Sequence, residues 1–252
     1  MGDVIRDYLK ATWRGHGPLK LGSPSPHFVM KRGHLARFLQ GLNAGAILDI
    51  ACDQGYYGYL AAETISAVRV LDGFDLNGDA VAVARGLESR ARRGLRCRHW
   101  VGDIDTEVLG TTYDLVLYVD ALVYASDPER MLREAHAHTS PGGHLILYSP
   151  VSDGVVPRMP GWARARLPDW SQTCSSLRSR DVVRFVDASG YRVVAVEWAG
   201  RHPYRLFRMW EYWVRSYSVL ASYGLAPLGW ILAAADSVAP GKGSGVFVLA
   251  EA

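Results

Sequence analysis

The sequence lacks a cysteine framework: Cys52, Cys97 and Cys174 are odd in number, far apart and in no CxxC pair. That excludes a disulfide-stapled scaffold and a zinc ribbon and fits a reducing compartment. His136 and His138 stand two apart on different faces of a helix-compatible segment, so they are not a ligand pair and no metal is expected. Strong net charge is missing too. A value of +3 over 252 residues is too small to argue for nucleic acid. Eleven Arg against five acidic residues between Arg158 and Arg215 read as a solvated basic face, with no interleaved aromatic–basic recognition motif. The opening MGDVIRDYLKATWRG has no apolar signal-peptide core, so a cytoplasmic protein is the expectation. No charge occurs from Ser216 to Ala235, a length close to a membrane span. Gly224, Pro227 and Gly229 interrupt that run and the strands on either side must join one sheet, so no span is expected.

What is present is an ordinary globular composition, 49% hydrophobic and 21% charged, long enough for one domain with an elaboration. From Ala46 short Val/Ile/Leu-rich runs alternate with helix-compatible segments, the pattern of a doubly wound sheet covered on both faces. Strands are predicted at Ala46–Ala51, Arg69–Phe74, Arg96–Val101, Tyr113–Tyr118, His144–Ser149, Tyr191–Trp198 and Gly245–Ala250, with Pro141-Gly142-Gly143 as a turn before the fifth. Helices are predicted at Tyr57–Thr64, Gly78–Arg93, Pro128–His138 and Ser179–Ser189. Residues 1–44 form an N-terminal helical segment broken by Gly15–His27. Residues 45–198 and 244–252 form the core, and 199–243 a helical insertion.

At Ala46–Tyr59, AILDIACDQGYYGY, a short apolar run ends in Asp49, breaks into a small-residue turn and enters a helix-compatible segment. That order presents backbone N–H groups and a positive helix end to a ligand, and Gly55 permits a sharp turn or a close approach. Asp49-x-Ala51-x-Asp53-x-Gly55 resembles the first motif of the class I S-adenosylmethionine-dependent methyltransferases, with Ala51 and Asp53 in place of two glycines. Asp75, at the end of the second strand and followed by Leu76, is placed to accept from ribose hydroxyls; a helix N-cap is its other reading. Val101-Gly102-Asp103-Ile104 resembles the family's adenine-edge motif, with the capping of a short turn as the other reading of Asp103, and Tyr113–Tyr118 and Ser140–Leu147 resemble its fourth and fifth strand regions. The resemblance covers about residues 46–150. It implies a Rossmann-like, mostly parallel seven-stranded sheet and S-adenosylmethionine as cofactor, held by Asp49, Ala51, Cys52, Asp53, Gly55 and Tyr118 at the methionine end, Asp75 and Leu76 at the ribose, and Asp103 and Ile104 at the adenine. A nicotinamide dinucleotide is disfavoured, because Asp53 would face a pyrophosphate.

Methyl transfer needs an oriented acceptor, excluded water and, for some nucleophiles, a base. The family's Glu-His pair after the fourth strand is replaced by Val123-Tyr124. Asp120, Tyr124 and His202 are the catalytic candidates, with Asp153 behind them; each also has a plain structural reading. The insertion carries Tyr204, Phe207, Trp210, Tyr212, Trp213, Tyr217, Tyr223 and Trp230. It reads as a lid over an apolar or aromatic small-molecule acceptor, with shallow membrane contact through 207–235 or a homodimer surface as rivals. The expected function is O- or N-methylation of a biosynthetic metabolite. A cyclisation using the same cofactor, or a regulatory partner-binding role, is the alternative.

Overall fold

The computed structural model describes residues 26–89, 91, 93–107, 109–153, 177–218, 221, 224–236 and 238–252. The first 25 residues, Cys174, Tyr223 and most of the Pro- and Arg-rich loop after the fifth strand lie outside them. The strands are β1 (Ala46–Ile50), β2 (Val70–Asp75), β3 (Arg96–Val101), β4 (Tyr113–Val119), β5 (Thr139–Pro150), β6 (Arg192–Ala199) and β7 (Gly245–Glu251), rich in Val, Ile and Leu except for the polar β3, RCRHWV. Helices α1 (Pro26–Leu39), α2 (Tyr56–Thr64), α3 (Gly78–Glu88), α4 (Pro128–Ala137), α5 (Ser179–Ala188), α6 (His202–Tyr217) and α7 (Ala226–Asp236) join or flank them.

The strands form one sheet in the order β3-β2-β1-β4-β5-β7-β6. Only β7 runs antiparallel to its neighbours. Strand order reverses between β1 and β4, so the carboxyl ends of β1, β2, β3 and β4 open a crevice there. Two apolar cores cover the two faces. One gathers α1, α2 and the insertion around Ile47, Leu117 and Phe247. The other gathers α4 and α5 around Leu48, Val116 and Leu147.

Most boundaries fall within one residue of the sequence expectation, and three differences change the description. The turn expected before β5 lies within it as a bulge: Thr139 pairs with Tyr113 and His144 with Leu115, leaving Ser140–Gly143 opposite Asp114. Gly142 takes φ +74 there, a conformation glycine adopts without penalty. Helix α3 stops at Glu88 rather than Arg93. Strand β4 runs one residue past Tyr118, and this moves a predicted site residue.

The insertion is a buttress. Its α7 packs along α1 and against α6. Phe207 and Pro26 crowd Gly229 so closely that a Cβ there would overlap both, so α7 can sit this close only because residue 229 is glycine. Buried His34 of α1 ties the parts together, with Nε2 at 3.0 Å from Asp236 and Nδ1 at 3.1 Å from Glu197 of β6. Asp236 also accepts from the N–H groups of Gly200 at 2.9 Å and Arg201 at 2.5 Å. No described helix is long and apolar enough to cross a membrane.

Candidate functional site

The loop after β1 is shaped by backbone conformations that side chains normally avoid. Ala51 and Asp53 take φ of +52 and +48, and Gly55, at +79, precedes the first turn of α2. Non-glycine residues in this region are uncommon and persist where the surroundings over-determine them. Here the loop is pinned on both sides. The Cys52 N–H donates to the Phe74 carbonyl at 2.9 Å, and the Asp53 N–H donates to Asp75 Oδ2 at 2.8 Å. Asp75 Oδ1 accepts from the Asn77 N–H at 2.8 Å. Asn77, not Asp75, caps α3, its side chain accepting from Asp79 and Ala80. Asp75 therefore joins the β1 and β2 loops and keeps its carboxylate at the mouth of the crevice.

Above these loops lies a cavity of about 870 Å³. Of the predicted cofactor residues, Ala51, Cys52, Asp53, Asp75, Leu76, Asp103 and Ile104 line it, and so do the catalytic candidates Asp120 and Tyr124. The Asp103 side chain also does what its plain reading required, accepting from the Asp105 N–H at 2.9 Å. Burial pushes the Cys52 thiol well above its ordinary pKa, with Asp49, Asp75 and Asp53 adding repulsion, so it is a neutral wall residue and no nucleophile.

Two supporting residues stand beneath the wall. Asp49 is buried, and its Oδ2 accepts from the Gly58 N–H at 2.9 Å, bracing an otherwise open amide at the start of α2. Burial pushes its carboxyl up to about 7; the Gly58 bond opposes this, and Asp75 and Asp53 add to it. Gly55 does not line the cavity; its position faces the Tyr59 ring and Ala84.

Three further predicted residues, Tyr118, His202 and Asp153, lie away from the cavity. Tyr118 is fully buried in the α4-side core, its hydroxyl on the Met131 sulfur, and does not reach the cavity. Because β4 extends to Val119, Tyr118 stays inside the strand, and Val119 and Asp120 form its lining end. His202 starts α6 with an exposed side chain and does not line the cavity, and Asp153 is occupied by the Ser179 N–H at 2.6 Å and hydroxyl at 2.7 Å. No described residue of 199–243 lines the cavity.

The sequence reading missed an aromatic wall and a buried amine. Phe28 of α1 packs on Tyr56 and Tyr57 with ring centroids 5.7 and 6.0 Å apart, and all three line the cavity. One helical turn on, Lys31 is fully buried, its amine hydrogen-bonded to Asp120 Oδ2 and 4.7 Å from the centre of the Tyr148 ring. Burial and nearby Arg208 hold this amine well below the ordinary lysine range. The signal for the aromatics was the tyrosine pair after Gly55; a pairing across 89 positions leaves no linear signal for Lys31.

Residues 48–145 match the family model described as a methyltransferase domain. No curated protein sequence matches significantly. Among solved structures, an S-adenosylmethionine-dependent methyltransferase from Mesorhizobium loti is 20% identical with TM-score 0.61, the match covering 88% of this chain and 98% of that one. The N-methyltransferase NodS from Bradyrhizobium japonicum, in complex with S-adenosyl-L-homocysteine, is 15% identical with TM-score 0.59, covering 99% and 98%. The (4+2)-cyclase SpnF is 19% identical with TM-score 0.59, covering 88% and 80%. At these identities the structural likeness speaks for the fold. Residues 48–145 are thus similar to a methyltransferase domain, and the chain shares its fold with S-adenosylmethionine-dependent methyltransferases.

Proposed function

We propose that the protein binds S-adenosylmethionine in the crevice at the carboxyl ends of β1–β4 and transfers its methyl group to a small-molecule oxygen or nitrogen. The observation that carries this is the chemistry of the cavity wall. Its described lining holds five aspartates (Asp53, Asp75, Asp103, Asp105 and Asp120) and no Lys, Arg or His. Such a wall suits a sulfonium and repels a pyrophosphate. The volume falls within the range of cofactor pockets, roughly 300–1,000 Å³.

In this reading Asp75 accepts from the ribose hydroxyls, Asp103 from the adenine amine, and Ile104 packs on the ring. The loop from Ala51 to Asp53 lies along the methionine portion. When bound, the cofactor supplies a methyl group already activated on sulfur, so the protein has only to orient the acceptor and keep water out. Phe28, Tyr56, Tyr57 and Val119 supply the apolar wall for that exclusion. Asp120 and Tyr124 stand beside it as the polar groups that meet the acceptor. The insertion serves this site indirectly, by holding α1.

Calorimetric titration with S-adenosylmethionine and S-adenosylhomocysteine, with NADH as control, tests the proposal. Binding of the first two and not the third is expected. Binding of NADH alone, or of none, would overturn it.

A further inference from the structure

The Asp120 end of the cavity identifies the kind of acceptor it can take. We infer that the acceptor is a compact amine presented as an ammonium, received by the Asp120 carboxylate and the aromatic wall of Phe28, Tyr56 and Tyr57. This rests on the methyl-transfer reading and narrows it from oxygen or nitrogen to nitrogen.

Three observations converge on this end. The first is the conformation of Asp120. It follows β4 in the left-handed region at φ +66, and its N–H donates to the Tyr148 carbonyl at 3.0 Å. An aspartate pays for that conformation, and such strain is characteristic of positions where a side chain has to be aimed. The carboxylate stays 40% exposed at the cavity wall. Oδ2 takes the buried Lys31 amine, while Oδ1 has no protein partner among the described residues.

The second is the aromatic trio. Phe28 and Lys31 stand three residues apart on one face of α1, so the rings and the carboxylate belong to the same end of the cavity. Aromatic faces beside an open carboxylate attract a cation through the ring quadrupoles as well as through charge.

The third is charge balance. The donor brings one sulfonium to a described lining with five carboxylates and no basic side chain. An anionic acceptor would add to the excess and a neutral one would leave it, whereas an ammonium reduces it. Lys31 does not already serve that purpose. It is sealed behind Asp120, with Arg208 of α6, His27 of α1 and the Tyr148 ring of β5 around it, and burial together with Arg208 disfavours its charge. A ligand ammonium in the open cavity escapes that desolvation.

The chemistry balances. The ammonium gives one proton to the Asp120–Lys31 pair. The freed nitrogen lone pair forms the new N–CH3 bond as the S–CH3 bond breaks, and sulfur keeps the bonding pair. The products are a methylated ammonium and the thioether S-adenosylhomocysteine.

Protein saturated with S-adenosylhomocysteine should be titrated by calorimetry with 2-phenylethylamine, 2-phenylethanol and phenylacetate, which share a ring and differ in charge. The amine is expected to bind about tenfold or more tightly than the alcohol, the equivalent of one charge-assisted hydrogen bond, and phenylacetate not measurably. In Asp120→Asn the amine should fall to the level of the alcohol, while retained S-adenosylhomocysteine affinity shows that the variant is folded. Alcohol or carboxylate binding as tight as the amine's, or no binding of any of the three, overturns the amine assignment. So does amine selectivity that survives Asp120→Asn. The wild-type comparison decides the matter even if the variant does not fold. Failure of S-adenosylhomocysteine itself to bind strikes instead at the methyl-transfer reading, and this inference falls with it.

Discussion

Asp49, one residue before the end of β1, and Asp75, at the end of β2, carry the same carboxylate and do different work because of burial. Asp49 is sealed under α2, where burial pushes it up to about 7. An unfolded aspartate titrates near 4. Between about pH 4 and 7 the native protein therefore holds a proton that the unfolded chain has released, and this group's contribution to stability falls as pH rises through that window. Asp49→Asn keeps an oxygen for the Gly58 N–H and cannot titrate. Thermal melts from pH 4.5 to 7.5 should show the variant gaining on the wild type as pH rises; curves that stay parallel would contradict the assignment. Asp75 spends its oxygens on the Asp53 and Asn77 amides and remains at the cavity wall. Asp75→Ala should weaken S-adenosylmethionine binding by about tenfold or more, since it removes a charged acceptor and releases the loop. An unchanged dissociation constant would remove its ribose role. Both residues could be singled out in the sequence because a motif near a strand end fixes its own surroundings, though not that Asp49 lies beneath the cavity wall. Tyr118 was misplaced because one further residue of strand exchanges which side chain ends at the cavity and which stays in the core.

The helix that matters most for the site is α2, which meets the sheet through Gly58. A Cβ at this position would lie 2.8 Å from Asp49 Oδ2 and 2.9 Å from Leu71 Cδ1. The close approach lets the Gly58 amide reach Asp49, and it sets the height at which Tyr56 and Tyr57 enter the cavity. Gly58→Ala should lower stability by about 1–3 kcal/mol through overpacking, despite alanine's better helix propensity. Urea unfolding measures this, and a variant as stable as the wild type would show that α2 can lift off β1 at no cost. Strand and helix alternation was readable through this region because each element carries its own apolar period. Helix α1 lacked such a signal for its role. Its apolar residues announce a buried face, but nothing local says that this face meets α7 or that Lys31 ends at Asp120.

Across the whole molecule the insertion and the cavity are joined through α1. One end of that helix brings Phe28 to the cavity wall and Lys31 to Asp120, and further along His34 reaches Asp236 of α7, 202 positions away in the chain. Asp236 is fully buried and takes the His34 ring nitrogen and two backbone amides, from Gly200 and Arg201. Replacing it by alanine removes the acceptor for all of them at once. Each buried donor so stranded costs about 1–3 kcal/mol, and the losses do not simply add. Asp236→Ala should therefore reduce stability by about 3 kcal/mol, lowering Tm by roughly 6–12 °C for a chain of this size. Its effect on ligands should be uneven. The loops after β1, β2 and β3 are tied to one another by Asp75 and the Cys52–Phe74 backbone bond, with no member in the insertion. Below its melting temperature the variant should thus keep S-adenosylmethionine binding near the wild-type level. The proposed acceptor end depends on where α1 holds Phe28, so on that proposal 2-phenylethylamine binding should weaken by about tenfold, the change produced by roughly 1.4 kcal/mol of lost contact. Equal losses for both ligands would mean that the insertion supports the sheet as a whole, whereas a selective loss places the control of the acceptor site in the contact between α1 and α7.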